Sequence, residues 1–136
     1  MTGVVVDASV ALAWCFPDES SKDADRILAA LKGRDILVPA VWVLEVTNAM
    51  LVGERRKRLR QPEILRFIAL LDSLPILQDH QAVGDSVANV LPIARDYGLS
   101  AYDASYLELA IRHGCPLASL DSGLQKAAQR AGVRAL

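Results

Sequence analysis

Residues 3–14, Gly3-Val4-Val5-Val6-Asp7-Ala8-Ser9-Val10-Ala11-Leu12-Ala13-Trp14, pass from a β-branched run into a helix-forming one, with an aspartate at the junction. Three consecutive valines favour extended backbone, and no polar residue alternates among them, so they read as a short strand buried on both faces. Asp7 through Trp14 reads as a helix that must stop before Pro17. A strand that is apolar on both sides and feeds straight into a helix is the building unit of a parallel sheet covered by helices.

The alternation recurs along the chain. Ser20 and Asp23 mark the start of a second helix, running to about Lys32 with Gly33 just past its end. Ile36 to Val38 reads as a second strand, and Pro39 opens a long apolar helix reaching about Arg56. Gln61-Pro62-Glu63 starts another helix that ends near Ser73, and Pro75 to Leu77 reads as a short strand. Residues 81–97 read as a helix that Pro92 should kink or split and Gly98 closes. Ser100 and Asp103 begin a helix ending at His113-Gly114. Pro116 to Leu120 reads as a strand, Ser122 with Gln125 as the capping box of the last helix, and Val133 to Ala135 as a final edge strand. No linker, repeat or low-complexity segment interrupts the pattern. The expectation is one α/β domain over residues 1–136, with a central parallel sheet of four to five strands flanked by helices on both faces.

A chain of 136 residues, 52% hydrophobic and 23% charged, is long enough for a real core and sits at the apolar end of globular composition. That surplus suits either an apolar partner surface or a tightly packed monomer. A net charge of −1 excludes a polycation that coats nucleic acid indiscriminately, so any such binding must come from a local patch. Cys15 and Cys115 stand far apart with no CxxC pattern and read as reduced, buried thiols. With only His80 and His113, a zinc site is not expected. The N-terminus lacks signal-peptide character, and no apolar run approaches the ~20 residues that span a bilayer. A cytoplasmic protein with no membrane association is expected.

Four acids stand where the pattern calls for apolar residues. Asp7 and Asp121 end strands, Glu45 lies within Ala40-Val41-Trp42-Val43-Leu44-Glu45-Val46, and Asp103 lies within Ser100-Ala101-Tyr102-Asp103-Ala104-Ser105-Tyr106-Leu107. A carboxylate near a core is costly unless paired or bound to a metal. Bland explanations exist for some: Asp7 could cap the helix that follows it, and Asp103 could complete a capping box with Ser100. The capping box of Ser122 and Gln125 leaves Asp121 free. Glu45 is the only charged residue between Pro39 and Gly53 and shares a helix face with Val41, Leu44 and Asn48. Asp103 shares a face with Tyr106, Leu107 and Ala110, whereas Glu108 and Arg112 mark the opposite face as solvent-facing. Two carboxylates at strand ends and two on helices can converge at one edge of the sheet, where a hard divalent cation would offset their repulsion.

Glu54-Arg55-Arg56-Lys57-Arg58-Leu59-Arg60 packs five basic residues into six positions. It reads either as a solvated helix end or as a phosphate-contacting arm made of Arg55, Arg56, Lys57, Arg58 and Arg60. Aromatics make up 5% of the chain, which argues against base stacking as the main binding mode, and Tyr102, Tyr106, Trp14 and Trp42 read as core or interface residues.

In order and spacing, Val4-Val5-Val6-Asp7-Ala8-Ser9, Val38-Pro39-Ala40 through Asn48-Ala49, Leu99-Ser100-Ala101-Tyr102-Asp103 through Leu107, and Leu117-Ala118-Ser119-Leu120-Asp121 resemble the PIN-domain ribonucleases. More narrowly, they resemble the VapC-type toxins of bacterial toxin–antitoxin pairs. The resemblance spans nearly the whole chain. It implies a Mg²⁺- or Mn²⁺-dependent endoribonuclease with Asp7, Glu45, Asp103 and Asp121 as the catalytic, metal-binding cluster. Asp7 and Asp103 are implied as direct ligands, with Glu45 and Asp121 acting partly through water. It further implies supporting roles for Ser9, Asn48 and Ser119, the last standing where the family often has threonine. It also implies an RNA substrate, a homodimer and a cognate antitoxin that occupies the catalytic groove. The rival readings are a cation-binding receiver-like or adaptor domain without activity, and a phosphatase with Asp7 as nucleophile. The phosphatase is the weaker, because its haloacid-dehalogenase pattern wants an aspartate where Ser9 stands.

Overall fold

The three valines form the innermost strand. In the computed structural model, which describes residues 3–136, β1 (Val4–Val6) has essentially no exposed surface. It lies between β2 (Ile36–Val38) and β4 (Leu117–Ala118), and β3 (Ile76–Gln78) pairs with the far side of β2. All pairings are parallel, in the order β3-β2-β1-β4, with Val5 opposite both Leu37 and Leu117. Seven helices follow: α1 (Ala8–Cys15), α2 (Lys22–Ala30), α3 (Val41–Arg55), α4 (Gln61–Ser73), α5 (Val83–Tyr97), α6 (Ala101–His113) and α7 (Ser122–Arg130). A short 3-10 turn, Pro17–Glu19, follows α1. The expected α/β architecture is the one observed.

Helix α1 packs against α2, α3 and α4, while α6 lies across β1, β2 and β4 and is flanked by α5 and α7. Val5, Val10, Phe16, Tyr106, Leu107 and Leu124 are among the side chains sealed in between. Each fully buried side chain of this size contributes about 1.5–3 kcal/mol. Helix α1 packs on α3, and Phe16, directly after α1, sits against Gly53 of α3, where an added Cβ would lie 2.3 Å from its buried ring. Both cysteines are buried and free. Among the described residues no helix is long and apolar enough to cross a membrane.

Several local expectations are corrected. Helix α2 is capped by Ser21, not Ser20: the Ser21 hydroxyl accepts from the Ala24 N–H at 3.1 Å. Helix α7 is capped by Asp121, whose carboxylate accepts from the Leu124 N–H at 2.8 Å, and Ser122 is already inside the helix. Helix α5 runs unbroken through Pro92, whose ring lies on the exposed side, where a helix can bow outward without losing core contacts. Strand β4 stops at Ala118 instead of Leu120. The backbone beyond it bonds to side chains, with Leu120 N–H donating to Ser9 Oγ (2.9 Å) and Asp121 N–H to Ser119 Oγ (3.0 Å). The final edge strand reduces to one parallel bridge between Leu117 and Ala135.

Helix α6 holds the largest surprise. Glu108 was expected to mark a solvent-facing side, yet it is 6% exposed. Arg112 donates from Nε to Glu108 Oε2 at 2.8 Å and grips Asp79, just past β3, through NH1 (3.2 Å) and NH2 (2.5 Å). Gln81 adds a bond to Glu108 Oε1 at 3.0 Å. The i, i+4 pair reads the same in sequence whether it faces water or a neighbour; here Glu108 is covered, with α5 packed on α6, while Arg112 stays exposed.

Candidate functional site

Asp7 occupies the turn from β1 into α1, at the carboxyl edge of the central strand, and is 5% exposed. Its backbone N–H still pairs with the Ala118 carbonyl at 3.1 Å, so the sheet fixes its Cα. Its carboxylate accepts from Ser9 Oγ (2.6 Å, Oδ1), Ser119 Oγ (2.6 Å, Oδ2) and, more weakly, the Val10 N–H (3.3 Å). Each hydroxyl is itself held by a backbone donor, Leu120 N–H for Ser9 and Asp121 N–H for Ser119. A further bond from Gln125 Nε2 to the Ser119 carbonyl, at 2.6 Å, ties the strap after β4 to α7. Asp7 thus caps its helix and sits in a braced socket at once. Burial chiefly pushes its carboxyl above the usual range, against these hydrogen bonds, and the nearby charge of Asp121 pushes the same way.

Asp121 is exposed at the start of α7 with Oδ2 on the Leu124 N–H, which leaves Oδ1 free for a ligand. Asp103 lies in the first turn of α6, half-buried. Ser100 Oγ accepts from its backbone N–H at 3.1 Å, so the capping hydroxyl is Ser100. Burial raises the Asp103 carboxyl, and Asp121 adds to the rise. The charge of Asp121 is therefore felt by both Asp7 and Asp103.

Glu45 approaches from α3, which starts beyond the carboxyl end of β2. Its hydrogen-bond partner is not an arginine but Tyr106, whose hydroxyl donates to Oε1 at 2.5 Å. The Tyr106 hydroxyl lies beside the Ala8 backbone and feels the charges of Glu45 and Asp7; burial first, then Glu45, pushes it well above its usual pKa. Asn48 is exposed one turn further along α3. Tyr106 was read as a core or interface residue, and it is in the core. The signal of its second task is its place three residues after Asp103, the spacing that puts two side chains on one helix face.

The donors are all oxygens, as a hard divalent cation requires, and the charge of Asp121, which adds to the effect of burial at Asp7 and Asp103, is one that a cation would offset. Among the described residues no three His, Cys, Asp or Glu side chains are gathered closely enough to form a metal cage. Mg²⁺ typically takes one or two carboxylates together with water and substrate phosphates, so a looser set of acids suits it.

The basic run lies elsewhere. Helix α3 leads away from the acids, and Arg55 is ten residues beyond Glu45, roughly 15 Å along the axis. The helix ends in a left-handed Lys57 (φ 60°), with Arg58 N–H on the Gly53 carbonyl at 2.8 Å. Arg58 then turns back to bridge Asp18 (2.9 Å) and Glu19 (2.7 Å), with its guanidinium 4.5 Å from the Phe16 ring centre. Arg60 lies 3.5 Å from Glu63, and Arg55, Arg56 and Lys57 are exposed.

The PIN domain profile matches residues 4–130. A Pyrobaculum aerophilum protein described as ribonuclease VapC3 is 30% identical over 122 residues, covering 89% of this chain and 91% of the relative. Among solved structures, a crystal structure of a Pyrobaculum aerophilum protein superposes with TM-score 0.69 at 24% identity, over 93% of this chain and 79% of that one. A toxin–antitoxin complex from Klebsiella pneumoniae superposes with TM-score 0.62 at 16% identity, over 88% of this chain and 87% of that one.

Proposed function

The chain belongs to the PIN-domain family, and on that premise we propose that it is an endoribonuclease, the toxin of a toxin–antitoxin pair, that hydrolyses RNA phosphodiester bonds with Mg²⁺ or Mn²⁺. The single observation that carries this reading is the braced Asp7 at the carboxyl edge of the central strand, with the charge of Asp121 reaching both it and Asp103, and Glu45 held by Tyr106. The name of the 30% identical relative supports the reaction.

Asp7 and Asp103 would hold the ion directly, with Asp121 and Glu45 contributing partly through water. When bound, the ion lowers the pKa of a water and neutralises charge on the phosphoryl oxygens. The chain supplies placement. Ser9 and Ser119 fix both Asp7 oxygens, α7 fixes one Asp121 oxygen, and α6 sets Asp103 in its first turn. Carboxylates held this way need little rearrangement as the phosphate arrives, which is how preorganised sites lower barriers. Arg55, Arg56, Lys57 and Arg60 serve as a phosphate-contacting arm for RNA beyond the scissile bond, with Arg58 committed to Asp18 and Glu19.

The partners follow from exposed apolar surface. Between α3 and α4 lies a groove of about 460 Å³ lined by Trp42, Val46, Met50, Ile64, Ile68 and Leu71. Its lining is almost wholly apolar, so an antitoxin segment with an apolar face fits it. On α5, Val83, Val87 and Leu91 form an exposed stripe at i, i+4, i+8 spacing that a second copy would cover.

The test is RNA cleavage by the purified chain after EDTA treatment, followed by return of Mg²⁺ or Mn²⁺. Cleavage that disappears with EDTA and returns with either ion is expected. Undiminished cleavage in excess EDTA, or none with any divalent ion, overturns the proposal.

A further inference from the structure

We infer that Tyr106 is the positioning residue for Glu45, setting where its carboxylate stands. The inference rests on the nuclease reading of the four acids and goes beyond it by assigning a residue that bears no charge.

The geometry is specific. Tyr106 is 1% exposed and among the largest fully buried side chains, so its ring has one packed orientation. Its oxygen donates to Glu45 Oε1 at 2.5 Å, and the hydroxyl lies beside the backbone of Ala8, the residue directly after Asp7. One hydroxyl therefore stands among three acid-bearing segments: α6, three residues beyond Asp103; the start of α1, beside Asp7; and α3, through its bond to Glu45. A buried hydroxyl needs partners in any fold, and a carbonyl would have served. Here the acceptor is a half-buried carboxylate near the start of α3, the helix that follows β2. A glutamate has three rotatable bonds and would sample many positions; a short bond to a fixed hydroxyl removes most of that freedom. Outer partners that orient ligating carboxylates have this role at metal sites, and their loss typically costs about 10–100-fold in affinity or activity.

Tyr106→Phe keeps the ring and deletes the hydroxyl. The measurements are single-turnover RNA cleavage over a range of RNA concentrations, Mn²⁺ affinity by calorimetry, and thermal melting, each in the wild-type and Glu45→Gln backgrounds. In the wild-type background the rate at saturating RNA should fall about 10–100-fold with little change in KM, and Mn²⁺ should bind more weakly. In the Glu45→Gln background the same substitution should add little, since the carboxylate it aims is already gone. A purely structural tyrosine would instead lower the melting temperature and reduce activity by the same factor in both backgrounds, which overturns the inference. Proton NMR supplies a reading that does not need the mutant: the wild-type Tyr106 hydroxyl proton should resonate far downfield and move upfield in Glu45→Gln. Absence of that change also overturns the inference. If the wild-type chain binds Mn²⁺ but cleaves no RNA, the nuclease reading fails while calorimetry and NMR still decide the role of Tyr106.

Discussion

Asp7→Asn should cost the protein its cleavage activity and leave its stability equal or higher. The wild-type carboxylate accepts two hydroxyl hydrogen bonds at 2.6 Å and one N–H at 3.3 Å, yet its pKa is raised, so burial and the charge of Asp121 together outweigh all three bonds. An ionised Asp7 is therefore a net cost to the fold at neutral pH. Asparagine removes the charge but offers one acceptor oxygen instead of two. Because the Ser9 and Ser119 hydroxyls already accept backbone N–H groups, one of them loses the acceptor for its proton, at about 1 kcal/mol. Relief of the buried, mutually repelling charge offsets that loss. The sign in pH follows. A carboxyl raised on folding penalises the folded state only once it ionises, so the advantage of asparagine should be present at pH 7 and fade as pH falls towards the ordinary carboxyl value near 3.8. Thermal melts of both proteins in EDTA across that range are the assay. A mutant several degrees less stable at pH 7, with the deficit unchanged at low pH, would show that the hydrogen bonds outweigh charge burial and refute the reasoning.

Other expectations follow from the packing and the charges. Gly53→Ala places a methyl 2.3 Å from Phe16 Cε1; overpacking of about 1–3 kcal/mol less about 1 kcal/mol of helix propensity should lower the melting temperature by several degrees, and a rise would contradict the close Gly53–Phe16 contact. Arg112→Met strips Glu108 of its charge partner. Breaking a buried pair costs about 3–5 kcal/mol, and the partial exposure of Arg112 puts the expected loss near the lower end, readable by urea denaturation. Neutralising Arg55, Arg56 and Lys57 together should weaken RNA binding and flatten its dependence on salt, whereas Arg58→Ala should lower the melting temperature with little change in the salt slope, because Arg58 is held by Asp18 and Glu19.

The fold was legible where sequence and burial agree. Val4-Val5-Val6, Ile36 to Val38 and the helical runs between them have one stable arrangement, a parallel sheet under helices, and that is the one observed. The strand after Pro116 was read too long because its last residues look apolar or small, while their backbone groups bond to Ser9 and Ser119 side chains, which one-dimensional pattern does not encode. Asp121 was singled out on the argument that Ser122 capped α7. The structure reverses the premise: Asp121 is the cap, and its charge raises the carboxyls of Asp7 and Asp103 all the same. Asp7 likewise caps α1 and sits in the acid group. A cap side chain points along the first turn of its helix, and here the helix starts lie at the sheet edge where the acids gather. The part-buried Glu108–Arg112–Asp79 network was out of reach because its third member is 33 residues from Arg112.

The central claim is that Asp7, Glu45, Asp103 and Asp121 act as one site. Single-turnover RNA cleavage with saturating Mn²⁺, by Asp7→Asn, Glu45→Gln, Asp103→Asn, Asp121→Asn and their pairwise combinations, tests it most directly. The account predicts that every single substitution lowers the rate by at least about 10–100-fold and that the pairs lose much less than the product of the singles, as for groups that act together. A folded single variant that cleaves at the wild-type rate, or pairs whose losses simply multiply, would contradict it.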